Sequence, residues 1–329
     1  MYRIPVNRSK PPLSLLATLA LALAASQSYA GAYSFTTIDD PLGAYGTLPN
    51  GIDGNNVVGG YYDATFTPNG FLYNTVSTNW TTVDDPLGTS GTAANGISGN
   101  NIVGGYYVGS ASSGFLYNTV TTNYTTLNDP SAGPYGTSAL GIDGNNVVGS
   151  YYDAGFDSHG FLYNTVTTNW TTLDDPSAGT NGTYALGISG NNVVGYYSDG
   201  SSYNGFLYNT VTSMWTTIND PLGVNGTYPE GISGDNIVGL YIGAGYASHG
   251  FLYDISTMSY TTLDDPLGTN GTYAAGISGS TIVGNYLGVG SPQGGDGFIA
   301  VPTPEPSSVV LLGMGAVGLW WAARRRREN

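Results

Sequence analysis

The sequence of 329 residues contains no cysteine. Disulfide bonds, thiol nucleophiles and cysteine metal ligands are therefore excluded. Without covalent cross-links, the folded part must be stabilised by side-chain packing and backbone hydrogen bonds. A chain of this length can bury a core large enough for that purpose. Apolar residues make up 40% of the sequence and aromatic residues 12%, which is too hydrophobic for a disordered chain.

Positive charge is also missing from most of the chain. The seven lysines and arginines all lie near the two ends, at Arg3, Arg8, Lys10 and Arg324–Arg327. Residues 31–300 contain nineteen aspartates, one glutamate and no lysine or arginine. Because nucleic-acid binding requires cationic side chains, nucleic acid is excluded as a partner of this part. A strongly acidic surface attracts cations instead.

The N-terminus has the three parts of a secretory signal peptide. Its basic start, at Arg3, Arg8 and Lys10, is followed by a mostly apolar run from Leu13 to Ala25. The sequence Ser28-Tyr29-Ala30 then places small residues where a signal peptidase cleaves. We predict a signal peptide over residues 1–30 with cleavage after Ala30. An uncleaved membrane anchor is the alternative.

The C-terminus also has three parts. The motif Pro304-Glu305-Pro306 lies in a proline-rich linker over residues 301–308, and an apolar segment over residues 309–323 follows it. This segment is predicted to be transmembrane, although it is shorter than the roughly 20 residues that usually span a bilayer. The arginines Arg324, Arg325, Arg326 and Arg327 begin a basic tail, residues 324–329, which should stay cytoplasmic. The region before the linker would then lie on the outer side of the membrane.

This tail resembles the PEP-CTERM sorting signal of Gram-negative bacteria in the order and spacing of its motif, apolar segment and basic end. The resemblance implies recognition by an exosortase, a membrane peptidase, after signal peptidase has acted. It also implies an intermediate anchored in the inner membrane, then release or transfer to the cell surface. The family is associated with exopolysaccharide and biofilm production. A plain membrane anchor is the alternative, but it leaves Pro304-Glu305-Pro306 unexplained.

Three landmarks recur six times between the two ends, at a spacing of 44 to 47 residues. The first is a Gly-Ile pair that starts at Gly51, Gly96, Gly141, Gly187, Gly231 and Gly276. The second is a Gly-Phe pair that starts at Gly70, Gly114, Gly160, Gly205, Gly250 and Gly297. The third is an aromatic residue before Thr-Thr, at Phe35, Trp80, Tyr124, Trp170, Trp215 and Tyr260. Such a period indicates a repeat architecture.

Each repeat is predicted to form four short strands, as in Tyr184–Ser189, Val57–Tyr61, Phe71–Val76 and Trp80–Asp84, because β-branched and aromatic residues alternate with turn sequences. The second strand is apolar on both faces, which indicates burial on both sides. A lone fourth strand, Phe35–Asp39, precedes the first repeat, and the last repeat stops after its third strand, Phe298–Val301. We therefore predict an all-β, six-bladed β-propeller over residues 31–300, closed by the N-terminal strand. A β-solenoid or another stacked array is the alternative.

The repeat also resembles the HAF family of extracellular repeats, which is named for a His-Ala-Phe motif. Two copies read His159-Gly160-Phe161-Leu162 and His249-Gly250-Phe251-Leu252, so glycine replaces the alanine. The other four copies place Asn69, Ser113, Asn204 and Asp296 at the histidine position. The resemblance implies an exported repeat protein and says little about ligands.

Acidic pairs before proline form the first group of candidate site residues: Asp39, Asp40, Asp84, Asp85, Asp174, Asp175, Asp264 and Asp265. Two further copies read Asn128-Asp129 and Asn219-Asp220. Because the pairs recur in every repeat, we interpret them as turn-forming residues. Calcium binding is the weaker alternative, since paired carboxylates are calcium ligands. No other cofactor is predicted.

The remaining candidates are few. His159 and His249 are too few for a zinc site without cysteine, and we expect them to bond the backbone in turns. Glu230, the single glutamate of the repeats, is the best candidate for a catalytic acid, but a glycosidase needs two carboxylates. Six tyrosines that follow a glycine by two positions are predicted core residues: Tyr61, Tyr106, Tyr151, Tyr197, Tyr241 and Tyr286. The loop tyrosines Tyr45, Tyr135, Tyr203 and Tyr246 suit the faces of sugar rings.

These observations favour a non-enzymatic protein of the cell surface or extracellular matrix. Its role would be structural or adhesive and linked to exopolysaccharide or biofilm. A carbohydrate-binding propeller is the second hypothesis. A polysaccharide-active enzyme that uses Glu230 is the third.

Overall fold

The computed structural model describes residues 33–179 and 182–303, and Tyr33–Pro302 is built almost entirely of strands. Within them, the helical structure is a short 3-10 turn at Ala244–Tyr246, and no helix is long and apolar enough to cross a membrane. The predicted signal peptide (1–30), the motif Pro304-Glu305-Pro306, the apolar segment (309–323) and the basic tail (324–329) lie outside the described residues.

Twenty-four strands form six four-stranded antiparallel sheets, the blades of a propeller. The innermost strands of blades 1 to 6 are β2 (Thr47–Asp53), β6 (Thr92–Ser98), β10 (Thr137–Asp143), β14 (Thr183–Ser189), β18 (Thr227–Ser233) and β22 (Gly271–Ser278). The second strands are β3 (Asn56–Tyr62), β7 (Asn101–Val108), β11 (Asn146–Tyr152), β15 (Asn192–Ser198), β19 (Asn236–Ile242) and β23 (Thr281–Leu287). The third strands are β4 (Pro68–Asn74), β8 (Ala111–Asn118), β12 (Ser158–Asn164), β16 (Tyr203–Asn209), β20 (Ser248–Asp254) and β24 (Asp296–Pro302). The outer strands are β5 (Asn79–Thr82), β9 (Asn123–Leu127), β13 (Trp170–Leu173), β17 (Met214–Thr217), β21 (Ser259–Thr262) and, in blade 6, β1 (Tyr33–Ile38).

The ring closes through the N-terminal strand, as the phase of the repeats predicts. The last sheet has the order β1-β24-β23-β22, and β1 pairs antiparallel with β24, so that Phe35 lies opposite Ala300. The innermost strands of neighbouring blades contact each other around the whole circle, including β2 of blade 1 and β22 of blade 6. The predicted six-bladed propeller is confirmed, and the solenoid alternative is excluded.

The third strand is displaced from its predicted position. In blade 1 it begins at Pro68 and ends at Asn74, whereas the sequence suggested Phe71–Val76. The Asn74 side chain accepts the backbone N–H groups of Val76 and Ser77 at 3.2 and 2.9 Å, which turns the chain away from the sheet. Val76 is therefore 74% exposed. Its β-branched side chain favours a strand, but the asparagine turn decides the conformation.

The core lies between the blades. Val57 and Val58 of β3 are both fully buried but point into different clusters. Val57 packs with Val283 of blade 6, and Val58 packs with Ile102 of blade 2. The expected burial of the second strand on both faces is thus confirmed. Each blade stabilises two interfaces, and the hydrophobic energy of the fold depends on the complete ring.

The Gly-Phe landmark marks the packing unit of each blade. The six phenylalanines, Phe71, Phe115, Phe161, Phe206, Phe251 and Phe298, are all completely buried. Each of these rings packs over a glycine of the neighbouring second strand, and Phe71 lies opposite Gly59 in the sheet. A Cβ atom at Gly59 would lie 2.7 Å from the Phe71 ring and would overlap the carbonyl oxygen of Leu48. Residue 59 therefore has to be glycine.

Two adjacent glycines allow a matched test of this contact. Gly59→Ala should destabilise the purified full-length protein by about 1–3 kcal/mol, the usual effect of overpacking a core. Gly60→Ala should stay within about 1 kcal/mol of the wild type, because its Cβ atom would lie 3.6 Å from the nearest atom, the carbonyl oxygen of Asn69. Urea unfolding followed by circular dichroism measures both. Equal losses in the two variants would show that the ring contact is not the cause.

Candidate functional site

The six corners that lead from one blade to the next carry most of the acidic candidates. The second residue of each corner pair is buried and is aspartate in all six copies: Asp40, Asp85, Asp129, Asp175, Asp220 and Asp265. In each copy a carboxylate oxygen accepts the backbone N–H two residues later, at 2.8 or 2.9 Å. In each copy the aspartate's own N–H donates to a buried threonine hydroxyl at the start of the next innermost strand. This residue therefore shapes the corner.

The first residue of the pair has a different partner. Asp84 accepts the N–H of Gly70 in β4 at 2.9 Å, and Asn219 accepts the N–H of Gly205 in β16 at 2.9 Å. A carboxylate or an amide oxygen serves equally in this bond, which explains why asparagine replaces aspartate in two corners. Burial raises the pKa of Asp39, Asp40, Asp84, Asp220 and Asp265, and their bonds to backbone N–H groups oppose that shift.

The calcium candidates are distributed around the ring. Asp39-Asp40, Asp84-Asp85, Asp174-Asp175 and Asp264-Asp265 belong to four different corners. Within the described residues, no three acidic or histidine side chains lie close enough together to hold a metal ion. Calcium binding stays a prediction, whereas the hydrogen bonds described above already account for the aspartates as turn formers.

The two histidines bond side chains rather than the backbone partners that we expected. The Nδ1 atom of His159 lies 2.8 Å from the Asp174 carboxylate, and the His159 ring stacks on Tyr151. His249 repeats the arrangement with Asp264, also at 2.8 Å, and Tyr241. In blade 4 the amide of Asn219 donates to the Asn204 side chain at 2.8 Å in the same place. The position therefore holds a polar link between the third strand and the corner, which imidazole or amide groups can provide.

The six tyrosines predicted as core residues are core residues. Their exposed fractions range from 3 to 6%. Some of their hydroxyl groups reach the outer strand: the Tyr286 hydroxyl lies 3.1 Å from that of Thr37, and the Tyr241 hydroxyl lies 3.2 Å from that of Thr262. These tyrosines are unavailable to a ligand.

A channel of about 190 Å³ lies on the ring axis, lined by three successive residues of each innermost strand. In blade 1 these residues are Asn50, Gly51 and Ile52. A shift of the sheet register between Pro49 and Gly51 leaves Asn50 as a bulge, so its side chain turns towards the axis. A Cβ atom at Gly51 would lie 2.7 Å from the Asn95 carbonyl oxygen of the next blade. The Gly-Ile landmark is thus explained by the close approach of the strands.

The bulge position differs from blade to blade and gives the channel its chemistry. Going round the ring, its residues are Asn50, Asn95, Leu140, Leu186, Glu230 and Ala275. Asn50 donates to the Ala94 carbonyl at 3.0 Å, and Asn95 donates to the Ala139 carbonyl at 2.9 Å, so both amides bridge to the next blade. Glu230 lies across the ring from Asn95, since blades 2 and 5 are opposite.

Glu230 is the one ionisable side chain that lines this channel. It is half-buried, and burial raises its pKa to about 8. Most of the carboxyl groups are therefore protonated at neutral pH. A second carboxylate is absent from the channel lining, so the pair that a glycosidase requires is not present there.

The raised pKa of Glu230 in the channel predicts how the stability of the protein depends on pH. The pKa of Glu230 is raised from 4.5 to about 8 by folding, so the native state holds this proton more tightly than the unfolded chain. The contribution of Glu230 to stability therefore falls as the pH rises between these values. Glu230→Gln cannot ionise, so its Tm relative to the wild type should increase from about pH 6 to about pH 9. Circular dichroism melts of the full-length protein measure this difference.

Asn95→Gln is the matched control, because it changes a side chain across the same channel without changing charge. Its Tm difference from the wild type should be independent of pH. A pH-independent difference for Glu230→Gln as well would mean that the carboxyl group is hydrated and has an ordinary pKa.

Solved structures similar to this chain share its fold at low sequence identity. A TolB structure from Agrobacterium tumefaciens superposes with a TM-score of 0.52 at 17% identity, over 78% of this chain and 90% of that one. The β-propeller domain of the Trilobed protease from Pyrococcus furiosus, described as having an open velcro topology, gives 0.50 at 10% identity over 78% and 84%. A protein of unknown function from Bacteroides thetaiotaomicron gives 0.50 at 16% identity over 82% and 76%. At these identities the likeness shows the fold alone.

The sequence comparisons are more specific at one end of the chain. No curated protein sequence matches this chain significantly, and the resemblance to HAF repeats stays a prediction. Residues 302–327, in contrast, match the PEP-CTERM protein-sorting motif. The match begins at Pro302, which is the last residue of β24. This chain therefore carries a PEP-CTERM sorting motif, placed at the end of a six-bladed propeller.

Proposed function

We propose that this protein serves a non-enzymatic, structural or adhesive role at the cell surface or in the extracellular matrix, in contact with exopolysaccharide. The sorting motif implies an exported protein that passes through a membrane-anchored intermediate and is processed by an exosortase. The observation that carries the proposal is the position of the motif, which starts at the last residue of the strand that closes the ring. The folded domain is thus complete before the sorting signal begins.

Processing at both ends would leave the propeller intact. The predicted signal peptidase site follows Ala30, close to Tyr33, where β1 begins. Tyr33 lies opposite Pro302 in the sheet, so the first and last residues of the propeller are paired. The exported product would be a closed ring without its addressing segments. Such a particle suits a matrix component that must persist outside the cell.

The surface chemistry supports a passive role. Asp63, Asp153 and Asp199 lie in exposed loops, where bonds from nearby side chains and backbone N–H groups lower the pKa of each carboxyl group. These acids are therefore ionised loop caps, unlike a catalytic acid, which needs a raised pKa. Since the described residues include no lysine or arginine, the propeller has no cationic group to bind an anionic substrate.

Carbohydrate binding is the second candidate function, and exposed aromatic side chains favour it. Tyr135 is 47% exposed, Tyr203 is 39% exposed and Tyr246 is 80% exposed. A tyrosine suits this role because it combines an apolar face, which can stack on a sugar ring, with a hydroxyl group. A polysaccharide-active enzyme would have to rely on Glu230, which has no second carboxylate beside it in the channel.

Export can be tested through the motif. Replacement of Pro304-Glu305-Pro306 by three alanines should leave the protein in the membrane fraction, because an exosortase would no longer recognise it. The wild type should appear at the cell surface or in the medium in a shortened form. Pro134→Ala, in an exposed corner, is the control and should be sorted as the wild type is. Immunoblots of cell fractions from the native host measure this, and normal sorting of the motif variant would contradict the proposal.

The matrix role and the enzyme alternative can be separated in the same host. A deletion strain should retain less polysaccharide on its cells, and the wild-type gene should restore it. Glu230→Gln should restore it equally well, because no catalytic acid is needed for a structural role. Failure of Glu230→Gln alone, with normal amounts of the protein, would favour the enzyme. Unchanged polysaccharide in the deletion strain would remove the matrix role.

A further inference from the structure

Blades 1, 3 and 5 share a loop that blades 2, 4 and 6 lack. It connects the second and third strands and spans residues 63–67, 153–157 and 243–247. In all three loops the N–H of the first residue donates to the carbonyl of the fifth, at 2.8 to 3.1 Å. The N–H of the fourth residue donates to the carbonyl of the first, at 3.0 to 3.2 Å. The three loops thus have one conformation despite different sequences.

The fourth residue of each loop is aromatic, exposed and in a left-handed backbone conformation. Phe66, Phe156 and Tyr246 have φ values of 61°, 69° and 66° and exposed fractions of 50, 56 and 80%. Glycine or asparagine adopts this conformation with little strain, whereas for a bulky side chain it costs on the order of 1–2 kcal/mol. All three copies of the loop therefore place an aromatic residue in a backbone conformation that is unfavourable for it.

Left-handed residues elsewhere in the propeller show a different pattern. The turns between the third and outer strands place Thr78, Thr122, Thr168, Ser213 and Met258 at similar φ values. In three of them the threonine hydroxyl donates to the preceding carbonyl, which offsets part of the strain. The turn accepts several residue types, but the loop position holds aromatic residues alone. An aromatic side chain gains no such hydrogen bond, so this strain has to be offset by other contacts or kept for a role outside the fold.

Two of the three rings rest on a second ring from the adjacent corner. Phe66 stacks on Tyr45 with centroids 3.6 Å apart and ring planes 18° apart. Phe156 lies 5.0 Å from Tyr135. In blades 1 and 3 one side of the loop ring thus contacts a tyrosine, while half or more of its surface stays open to solvent. Each pair forms an apolar platform.

Blade 5 fixes its loop in another way. Its corner places Asn225 where blades 1 and 3 have tyrosine, before the glycine that bonds the end of the second strand. The Asn225 side chain donates to the Gly243 carbonyl at 2.7 Å and so fixes the first residue of the loop. Tyr246 then stands free and is the most exposed of the three rings. Blade 5 therefore keeps the loop conformation and its aromatic residue, although a hydrogen bond replaces the contact between two rings.

The circular arrangement of the blades fixes the relative positions of the three aromatic side chains. Because the innermost strands of consecutive blades contact each other in a closed circle, blades 1, 3 and 5 are separated by one third of a turn. The loops between second and third strands all emerge on the face that carries the corners. The three loop aromatic residues therefore stand at three equivalent places on one face, with the central channel between them.

The ligand class follows from charge and from the size of each platform. The described residues carry no lysine or arginine, and Asp63 and Asp153 start two of the loops, so anionic polymers and anionic lipid are repelled. A stable protein interface needs about 800 Å² on each partner, which a single ring cannot offer. One ring matches one sugar ring, whose apolar face stacks on it while its hydroxyl groups remain in water.

We propose that Phe66, Phe156 and Tyr246 are three equivalent stacking sites through which this face binds neutral polysaccharide. Each site is weak alone, and a polymer that repeats the same sugar engages more than one site, so avidity supplies the affinity. This inference names the ligand of the proposed matrix role and in that sense rests on it. Its test is independent of sorting, because it uses the purified protein.

The test compares retention of the full-length protein, purified in detergent, in gels that contain dextran, galactomannan or hydroxyethyl cellulose. A gel with anionic alginate is run beside them. The wild type should be retarded by at least one neutral polymer and not by alginate. The variant with Phe66, Phe156 and Tyr246 all changed to glycine should lose at least tenfold in apparent affinity. Its Tm should be equal to or above that of the wild type, because glycine relieves the left-handed strain.

The control variant changes the exposed valines Val76, Val166 and Val211, which are 71 to 74% exposed in turns on the opposite face, to alanine. It should bind as the wild type does. Three results would overturn the inference: no retention by any neutral polymer, undiminished binding of the glycine variant, or stronger retention by alginate. A protein that reaches the cell surface but gives one of these results would leave the sorting proposal standing and remove only this one.

Discussion

The close approach of six backbones around one axis governs the rest of this structure. A Cβ atom at Gly51 would lie 2.7 Å from the Asn95 carbonyl, and one at Gly141 would lie 2.5 Å from the Leu186 carbonyl. Glycine at this position lets the innermost strands converge, and the preceding bulge turns one side chain per blade into the channel. The blades therefore converge at the axis, and the space between neighbouring blades widens towards the outside. The valines, tyrosines and phenylalanines between neighbouring sheets fill that space.

The described part of the chain contains no lysine or arginine, so its carboxylate groups must be stabilised without ion pairs to those residues. The corner aspartates do so by accepting backbone N–H groups, which is a charge-assisted bond available at any tight turn. Two further carboxylates, of Asp174 and Asp264, contact imidazole rings. Asp53 and Asp143 link neighbouring blades, because they accept the backbone N–H groups of Gly99 and Gly190. The acids are thus held singly at different places around the ring rather than gathered in one site.

The sequence predicts the blades, their number and the closing strand. It does so because the landmark residues lie at positions where steric constraints do not allow another side chain. It misplaces the third strand, since a turn formed by Asn74 outweighs the strand preference of Val76. It also misses the side-chain partners of His159 and His249, because the repeat distance does not show which side chains meet across a corner. Phe66 and Phe156 could have been found. They stand ninety positions apart, Tyr246 stands ninety further on, and this doubled period is visible beside the single one.

The pairing of β1 with β24 links the first strand of the propeller to its last. Contacts between residues so far apart in the sequence are slow to form, because the intervening chain loses much entropy when the loop closes. A polypeptide that crosses a membrane from its N-terminus exposes β1 long before β24 emerges. Blade 6 therefore has no outer strand until translocation of the propeller is complete. The same pairing that protects the finished ring keeps the chain from folding fully too early, which is the state that a secretion channel requires.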